Sequence, residues 1–281
     1  MDEIEKNEDI NENINENMND RKSRISKRRE KKEKTLVNKI STFLLFFVFI
    51  PLLLFSGSYI LRWYIDTKKS EKATQEVMKE IEKSIVKEDG KNKVDLSKFK
   101  KINKDSKGVI EIEAVDIKNV FVQTNNNDYY LNHDFNKRNS MAGWIYVDYR
   151  NKLDGFDKNI LIYGHNMRDG KTMFTPLTKM LDVNLLKNLK SDKKYVKFLT
   201  EDGEEKYQIF SVYAKPDRDI NLNDLLPKSK NELNELISKL KKKSIFDFKV
   251  DIEKTDQIIT VMTCGRTNAE RVVVHAVRID D

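Results

Sequence analysis

The chain has 281 residues, with 53 Lys and Arg against 46 Asp and Glu, three His and one Cys. That length accommodates one ordinary domain plus appendages, and a lone cysteine excludes an intrachain disulfide framework. A formal excess of +7 does not by itself define a nucleic-acid-binding protein, so the placement of the charge decides its meaning.

Residues 1–20, rich in Asn and Glu, offer little apolar surface to bury and are expected to be disordered. Residues 21–39 switch to Arg and Lys, a pattern that alone would also suit a nucleic-acid arm. From Ile40 to Ile60 the sequence ISTFLLFFVFIPLLLFSGSYI carries no charge. About twenty uncharged, mainly apolar residues match the hydrocarbon thickness of a bilayer. A basic block directly before such a span keeps that side cytoplasmic. Trp63 and Tyr64 sit where interfacial aromatic anchors belong, and Pro51 is tolerable in a membrane helix. The expectation is a cytoplasmic tail over 1–39, a single-pass anchor over 40–64 and an exported remainder. A signal peptide cut near Ser56-Gly57-Ser58 is the competing reading, and it exports the same remainder.

Residues 66–90 read as a charged helix in which Val77, Ile81 and Ile85 recur at helical spacing, ended by Asp89-Gly90. With residues 91–108 they form a juxtamembrane helix and connector, 65–108. From Val109 the texture becomes β. Candidate strands are 109–114, 118–124, 143–149, 158–164, 194–200, 205–215, 256–263 and 271–279, with Asp202-Gly203 as a hairpin turn. Helical stretches are expected near 176–190 and at 229–243, where Leu233, Leu236, Ile237 and Leu240 form one apolar face. Short strands at this density predict a mainly β fold, a closed barrel of about eight strands with peripheral helices, over 109–281.

Cys264 closes the run Ile258–Thr263, and Arg271 opens the next run six residues after Gly265. If these two strands pair as a hairpin, their backbones lie about 4.8 Å apart. His165 follows Gly164 at the end of another apolar run. His275 lies on the same strand face as Arg271 but roughly 13 Å along it, too far for the same chemistry. His133 sits in a polar loop and reads as a surface residue. A thiolate is a nucleophile favoured by nearby positive charge. Imidazole shuttles protons near neutrality. A guanidinium stays charged but can hydrogen-bond an oxyanion. These roles fall to Cys264, His165 and Arg271. Three scattered His and one Cys show no metal-ligand spacing. A non-catalytic exported binding barrel remains open on pattern alone.

Thr260-Val261-Met262-Thr263-Cys264 resembles the Thr-Leu-x-Thr-Cys signature of sortases, with Val in place of Leu. Arg271 heads the next strand, where sortases carry their catalytic arginine, and Tyr163-Gly164-His165 is similar to the sortase histidine motif. Gly143–Asn151, containing Asp148-Tyr149-Arg150-Asn151, resembles class B, as do Thr172-Met173-Phe174 and the helix at 229–243. Two positions depart from the pattern. Arg266 stands where some class B members carry an Asp proposed to orient the histidine, and Met262 replaces a small polar groove residue.

The resemblance implies a membrane-anchored cysteine transpeptidase of the Gram-positive surface. It would cleave a C-terminal sorting signal of Asn-Pro-x-Thr-x type after Thr and pass the acyl group to the amine of a cell-wall (peptidoglycan) precursor. Catalytic residues would be Cys264, His165 and Arg271. Groove residues would be Thr263, Met262, Tyr163, Leu131 and Asn127. No metal, calcium or organic cofactor is implied, and the partners are exported sorting-signal proteins rather than nucleic acid. A pilin-polymerising sortase and a catalytically silent binding barrel are the alternatives.

Overall fold

Two long helices begin the chain, α1 at Asp2–Leu44 and α2 at Ile50–Ser84, joined by a π-helical turn at Leu45–Phe49. The computed structural model describes residues 2–88, 90–252, 255–264 and 269–279, with the backbone alone for residues 2–16 and Cys264. It divides after Arg62 into two compact units.

In the first unit none of the described side chains is buried. Composition alone reads residues 1–20 as disordered, yet their backbone is helical. Farther along the same helix the i,i+4 pairs Arg24–Asp20 and Lys34–Glu30 add local support. The helical stretch that holds the uncharged span is long and apolar enough to cross a membrane. Within it Ile50 N–H donates to the Leu45 carbonyl, one residue wider than in an α-helix. Pro51 follows directly and supplies no N–H, so the irregular turn and the proline coincide.

In the second unit the C-terminal part of α2 buries Ser70, Ala73, Thr74, Val77, Ile81 and Ser84, a single stripe at helical spacing. The helix ends at Ser84, not near residue 90. Ile85–Glu88 (β1) and Lys91–Val94 (β2) instead pair as an antiparallel hairpin across Gly90, whose φ of +81° suits a tight turn. A short helix α3, Ser97–Ile102, leads into the barrel.

Eight strands close the barrel: β3 (Ser106–Ile112), β4 (Ile117–Val122), β5 (Tyr146–Val147), β6 (Asn159–Tyr163), β7 (Tyr195–Leu199), β8 (Glu204–Pro216), β9 (Ile258–Cys264) and β10 (Glu270–Ile279). Their order around the ring is β10-β8-β7-β3-β4-β5-β6-β9, and closure leaves no free edge. Most neighbours are antiparallel, but β4–β5 and β6–β9 are parallel. The expected strand 143–149 pairs only at Tyr146–Val147. The hairpin at Asp202-Gly203 joins β7 to β8 as expected.

Strands β6, β9 and β10 read as unbroken apolar runs because both of their faces are covered. The helix Lys230–Lys243 packs on β8 and buries Leu233, Leu236, Ile237 and Leu240. Its N-cap Ser229 accepts from Glu232 N–H, and Lys241–Lys243 sit at the carbonyl end, where cations are favoured. Against β8, β9 and β10 packs the stretch expected as one helix over 176–190. It is a 3₁₀ segment at Thr175–Leu181, with Pro at its start, followed by the short helix Val183–Lys187 that Asp182 caps.

Candidate active site at the β6–β9–β10 end of the barrel

The barrel register alone brings three separate sequence positions together. In the antiparallel β9–β10 ladder, Cys264 pairs with Arg271. In the parallel β6–β9 ladder, Tyr163 pairs with Met262, and Gly164 N–H donates to the Met262 carbonyl over 3.2 Å. Two further residues along β6 the chain reaches His165, and two further along β9 it reaches Cys264. Imidazole, thiol and guanidinium positions therefore occupy neighbouring strand ends at one mouth of the barrel. Adjacent strands lie about 4.8 Å apart, so the three backbone positions are close neighbours.

A cavity of about 450 Å³ opens there, lined by Asn127, Leu131, Tyr163, His165, Met262, Thr263 and Arg271. It gathers all five residues expected to form the groove. Tyr146 and Gly164, from the Gly143–Asn151 and Tyr163–His165 stretches, also line it, and Asp128, Asp217, Ile220 and Leu222 complete the lining without a sequence signal of their own. Thr263 is 2 % exposed, and its hydroxyl has no hydrogen-bond partner among the described residues. Arg266 and its neighbours 265, 267 and 268 lie outside the described residues, as does the Cys264 side chain.

His165 is held by a main-chain group. Its Nε2–H donates to the Leu131 carbonyl at 2.8 Å, and because a carbonyl only accepts, this bond fixes the tautomer. Nδ1 is then the free nitrogen of the neutral ring. The ring sits close above Gly143, which adopts φ +55°. A Cβ at Gly143 would overlap the Tyr130 carbonyl and come within 2.9 Å of the Leu131 carbonyl and 3.0 Å of His165 Cδ2. Gly164 is equally constrained, since a Cβ there would come within 2.7 Å of the Phe174 ring. Phe174 N–H in turn donates to the His165 carbonyl at 3.1 Å. Glycines thus let two backbone segments and one aromatic ring close around the imidazole.

Arg271 is partly buried, and its Nε lies 3.1 Å from Asp217 Oδ1. Asp217 follows β8, whose Lys215 pairs with Arg271 on the side away from Cys264. Sequence gave no reason to couple Asp217 to Arg271, since 54 positions separate them; only the β8–β10 pairing does.

Asp148 is fully buried beneath the groove. Burial pushes its carboxyl up, but hydrogen bonds from the Arg150 side chain and backbone, from Tyr163 and from Asn127 outweigh it and leave it below the usual carboxylate range. Tyr163 Oη donates to Asp148 at 2.7 Å and Asn127 Nδ2 at 2.9 Å. Burial, and then the Asp148 charge, push the Tyr163 phenol up, so it remains a neutral donor.

His275 and His133 stand apart. His275 is fully buried four residues along β10 from Arg271, on the face expected for it. Thr260 Oγ1 donates to Asn159 Oδ1 at 3.0 Å, so His275 Nδ1–H donates to Thr260 at 2.8 Å, and Nε2 accepts from Tyr213 Oη at 3.1 Å. Burial, with Lys243 nearby, lowers its pKa to about 3. It is a satisfied neutral core histidine. His133 is half-buried rather than free on the surface, stacked on Tyr129 at a centroid distance of 4.0 Å.

Fold and site together define a closed-barrel enzyme of cysteine acyl transfer. Known proteins share the fold. The sortase domain family matches residues 110–279. Sortase B of Listeria monocytogenes is 32 % identical over 238 residues, which cover 80 % of this chain and 92 % of that protein. The X-ray structure of Clostridium perfringens sortase B matches with a TM-score of 0.59 at 33 % identity, covering 66 % of this chain and 100 % of that one. The crystal structure of sortase B from Bacillus anthracis in complex with AAEK1 gives a TM-score of 0.66 at 27 % identity, over 78 % of this chain and 100 % of that one. The chain belongs to the sortase family, class B, and is a cysteine transpeptidase.

Proposed function

We propose that the enzyme cleaves a C-terminal Asn-Pro-x-Thr-x signal after Thr and transfers the new acyl group to an amine of a cell-wall precursor. The reading rests on the convergence of Cys264, His165 and Arg271 at the mouth of one groove. The Cys264 thiolate adds to the Thr carbonyl, and Arg271 hydrogen-bonds the resulting oxyanion. His165 gives a proton to the departing amine as the thioester forms. An incoming amine then adds to the thioester, loses its proton to His165 and expels the Cys264 thiolate. Water in place of the amine gives hydrolysis as the slow side reaction.

The basic block at residues 21–39, directly before the uncharged span, supports a cytoplasmic tail and an external catalytic domain over 109–281. Because Cys264 is the only cysteine, a membrane-impermeant maleimide on intact cells reads this orientation directly. Labelling only after lysis would reverse it.

The full chain in detergent, given a quenched fluorescent Asn-Pro-x-Thr-x peptide and an amine acceptor, should release the peptide's C-terminal part and form the amide. Cys264→Ala should abolish both products together with any acyl-enzyme that hydroxylamine can release. Turnover retained in Cys264→Ala would refute the assignment.

A further inference from the structure

Asp148 and Arg150 do more than satisfy each other. Arg150 donates to Asp148 through its backbone N–H (2.9 Å), Nε (2.8 Å) and Nη2 (2.7 Å). This forked, charge-assisted pair is anchored on a carboxylate that is not exposed at all. The same carboxylate holds Tyr163 and Asn127, two groove-lining side chains. The remaining arm, Nη1, leaves the pair and donates to Asn223 Oδ1 at 2.6 Å, across 73 residues of sequence. Asn223 lies in the 3₁₀ turn Leu222–Leu225 of the long connection after β8. That connection supplies Ile220 and Leu222 to the groove lining. One buried carboxylate is thus linked to both parts of the lining: directly to Tyr163 and Asn127, and through Arg150 and Asn223 to the Ile220–Leu222 segment.

We propose that Arg150 is a positioning residue for substrate recognition, strapping the Ile220–Leu222 wall to the barrel through Asn223 and so setting the groove's width. The inference rests on the sorting-peptide reading above. The strap is made by a planar fork that uses two edges at once, which an ammonium has no means to reproduce. Its outer end is an exposed side chain that does not line the cavity, so the wall can be released without touching the groove itself.

Arg150→Ala would strip a buried carboxylate of its partner, and loss of fold would mask the result. Asn223 is the cleaner site. Asn223→Ala removes the acceptor, whereas Asn223→Asp keeps an oxygen there and adds a charge that Arg150 favours. Kinetics use the full chain with the quenched sorting peptide. Asn223→Ala should raise KM about fivefold, the loss expected for one charged surface hydrogen bond, with kcat within about twofold of the parent. Asn223→Asp should restore the parent KM. Hydrogen exchange of the backbone amides over 217–226 should quicken in Asn223→Ala and return in Asn223→Asp. Unchanged exchange would overturn the strap, whether or not the parent turns over the peptide. Faster exchange with an unchanged KM, in a parent that is active, would overturn its role in recognition. A parent with no turnover would sink the sorting-peptide reading instead, and exchange would still decide the strap.

Discussion

Gly143→Ala isolates the contribution of backbone packing to the placement of His165. Two costs are separable. Gly143 adopts φ +55°, a left-handed conformation that costs an L-residue about 1–2 kcal/mol. The new methyl also overlaps the Tyr130 carbonyl and crowds the Leu131 carbonyl and His165 Cδ2, at 2.9 and 3.0 Å. Two of these contacts are main-chain atoms, so relief requires the 130–131 segment to withdraw by a large fraction of an ångström. That segment carries the acceptor that orients His165. Misplacement of a catalytic group by roughly 1 Å costs on the order of a hundredfold in rate. Gly155→Ala is the matched control, with φ +82° and nothing within 4 Å of its added Cβ. Both variants are assayed for melting temperature and for steady-state cleavage of the sorting peptide. Both should lose stability by the conformational penalty, Gly143→Ala more, but only Gly143→Ala should lose about two orders of magnitude in kcat/KM. If a folded Gly143→Ala kept turnover within threefold of the parent, or Gly155→Ala lost as much, the carbonyl would not be what places the imidazole.

Other outcomes follow from the same geometry. His165→Ala should cut turnover by about 10²–10⁴-fold in a folded protein, as expected for a general acid–base group. A comparable loss of catalysis in a folded His275→Gln variant would show that the buried histidine also takes part. Arg271→Lys should be nearly as damaging as Arg271→Ala, on the scale of about 2.7–4 kcal/mol for a lost oxyanion donor, because the flexible ammonium does not present the guanidinium's fixed donors. Near-normal kcat in the Lys variant would reduce Arg271 to bulk charge. His275, with a folded pKa of about 3 against 6.5 when unfolded, contributes stability that is complete above about pH 6.5 and is lost as pH falls toward 3. Urea unfolding at pH 6.5 and pH 4.5 should differ by about 2–3 kcal/mol more in the parent than in His275→Gln, and equal pH sensitivity would contradict the neutral assignment.

What could be read beforehand was what local pattern encodes. The strands β9 and β10 announce themselves as β-branched runs, and the short loop between them makes their antiparallel pairing, and hence the Cys264–Arg271 pair, a local inference. Placement of His165 is of a different kind, since it depends on the parallel β6–β9 ladder between segments about a hundred residues apart. The β1–β2 hairpin was hidden because Ile85 continues the helical spacing of Val77 and Ile81, while Val86-Lys87-Glu88 carries little apolar pattern. The 3₁₀ segment at Thr175–Leu181 and the helix Val183–Lys187 look like one helix in sequence, until Asp182 leaves the helical region and caps the second piece. Leu131 was expected among the groove residues and lies at the cavity, but the carbonyl that holds His165 leaves no trace in residue identity.

Orienting an imidazole by a main-chain oxygen changes which substitutions the site tolerates. An acidic side chain in that role would be lost with a single substitution. The Leu131 carbonyl is not, because every amino acid at position 131 brings the same oxygen. Leu131 is also one of the residues that line the cavity. Position 131 can therefore change its side chain while His165 keeps its anchor.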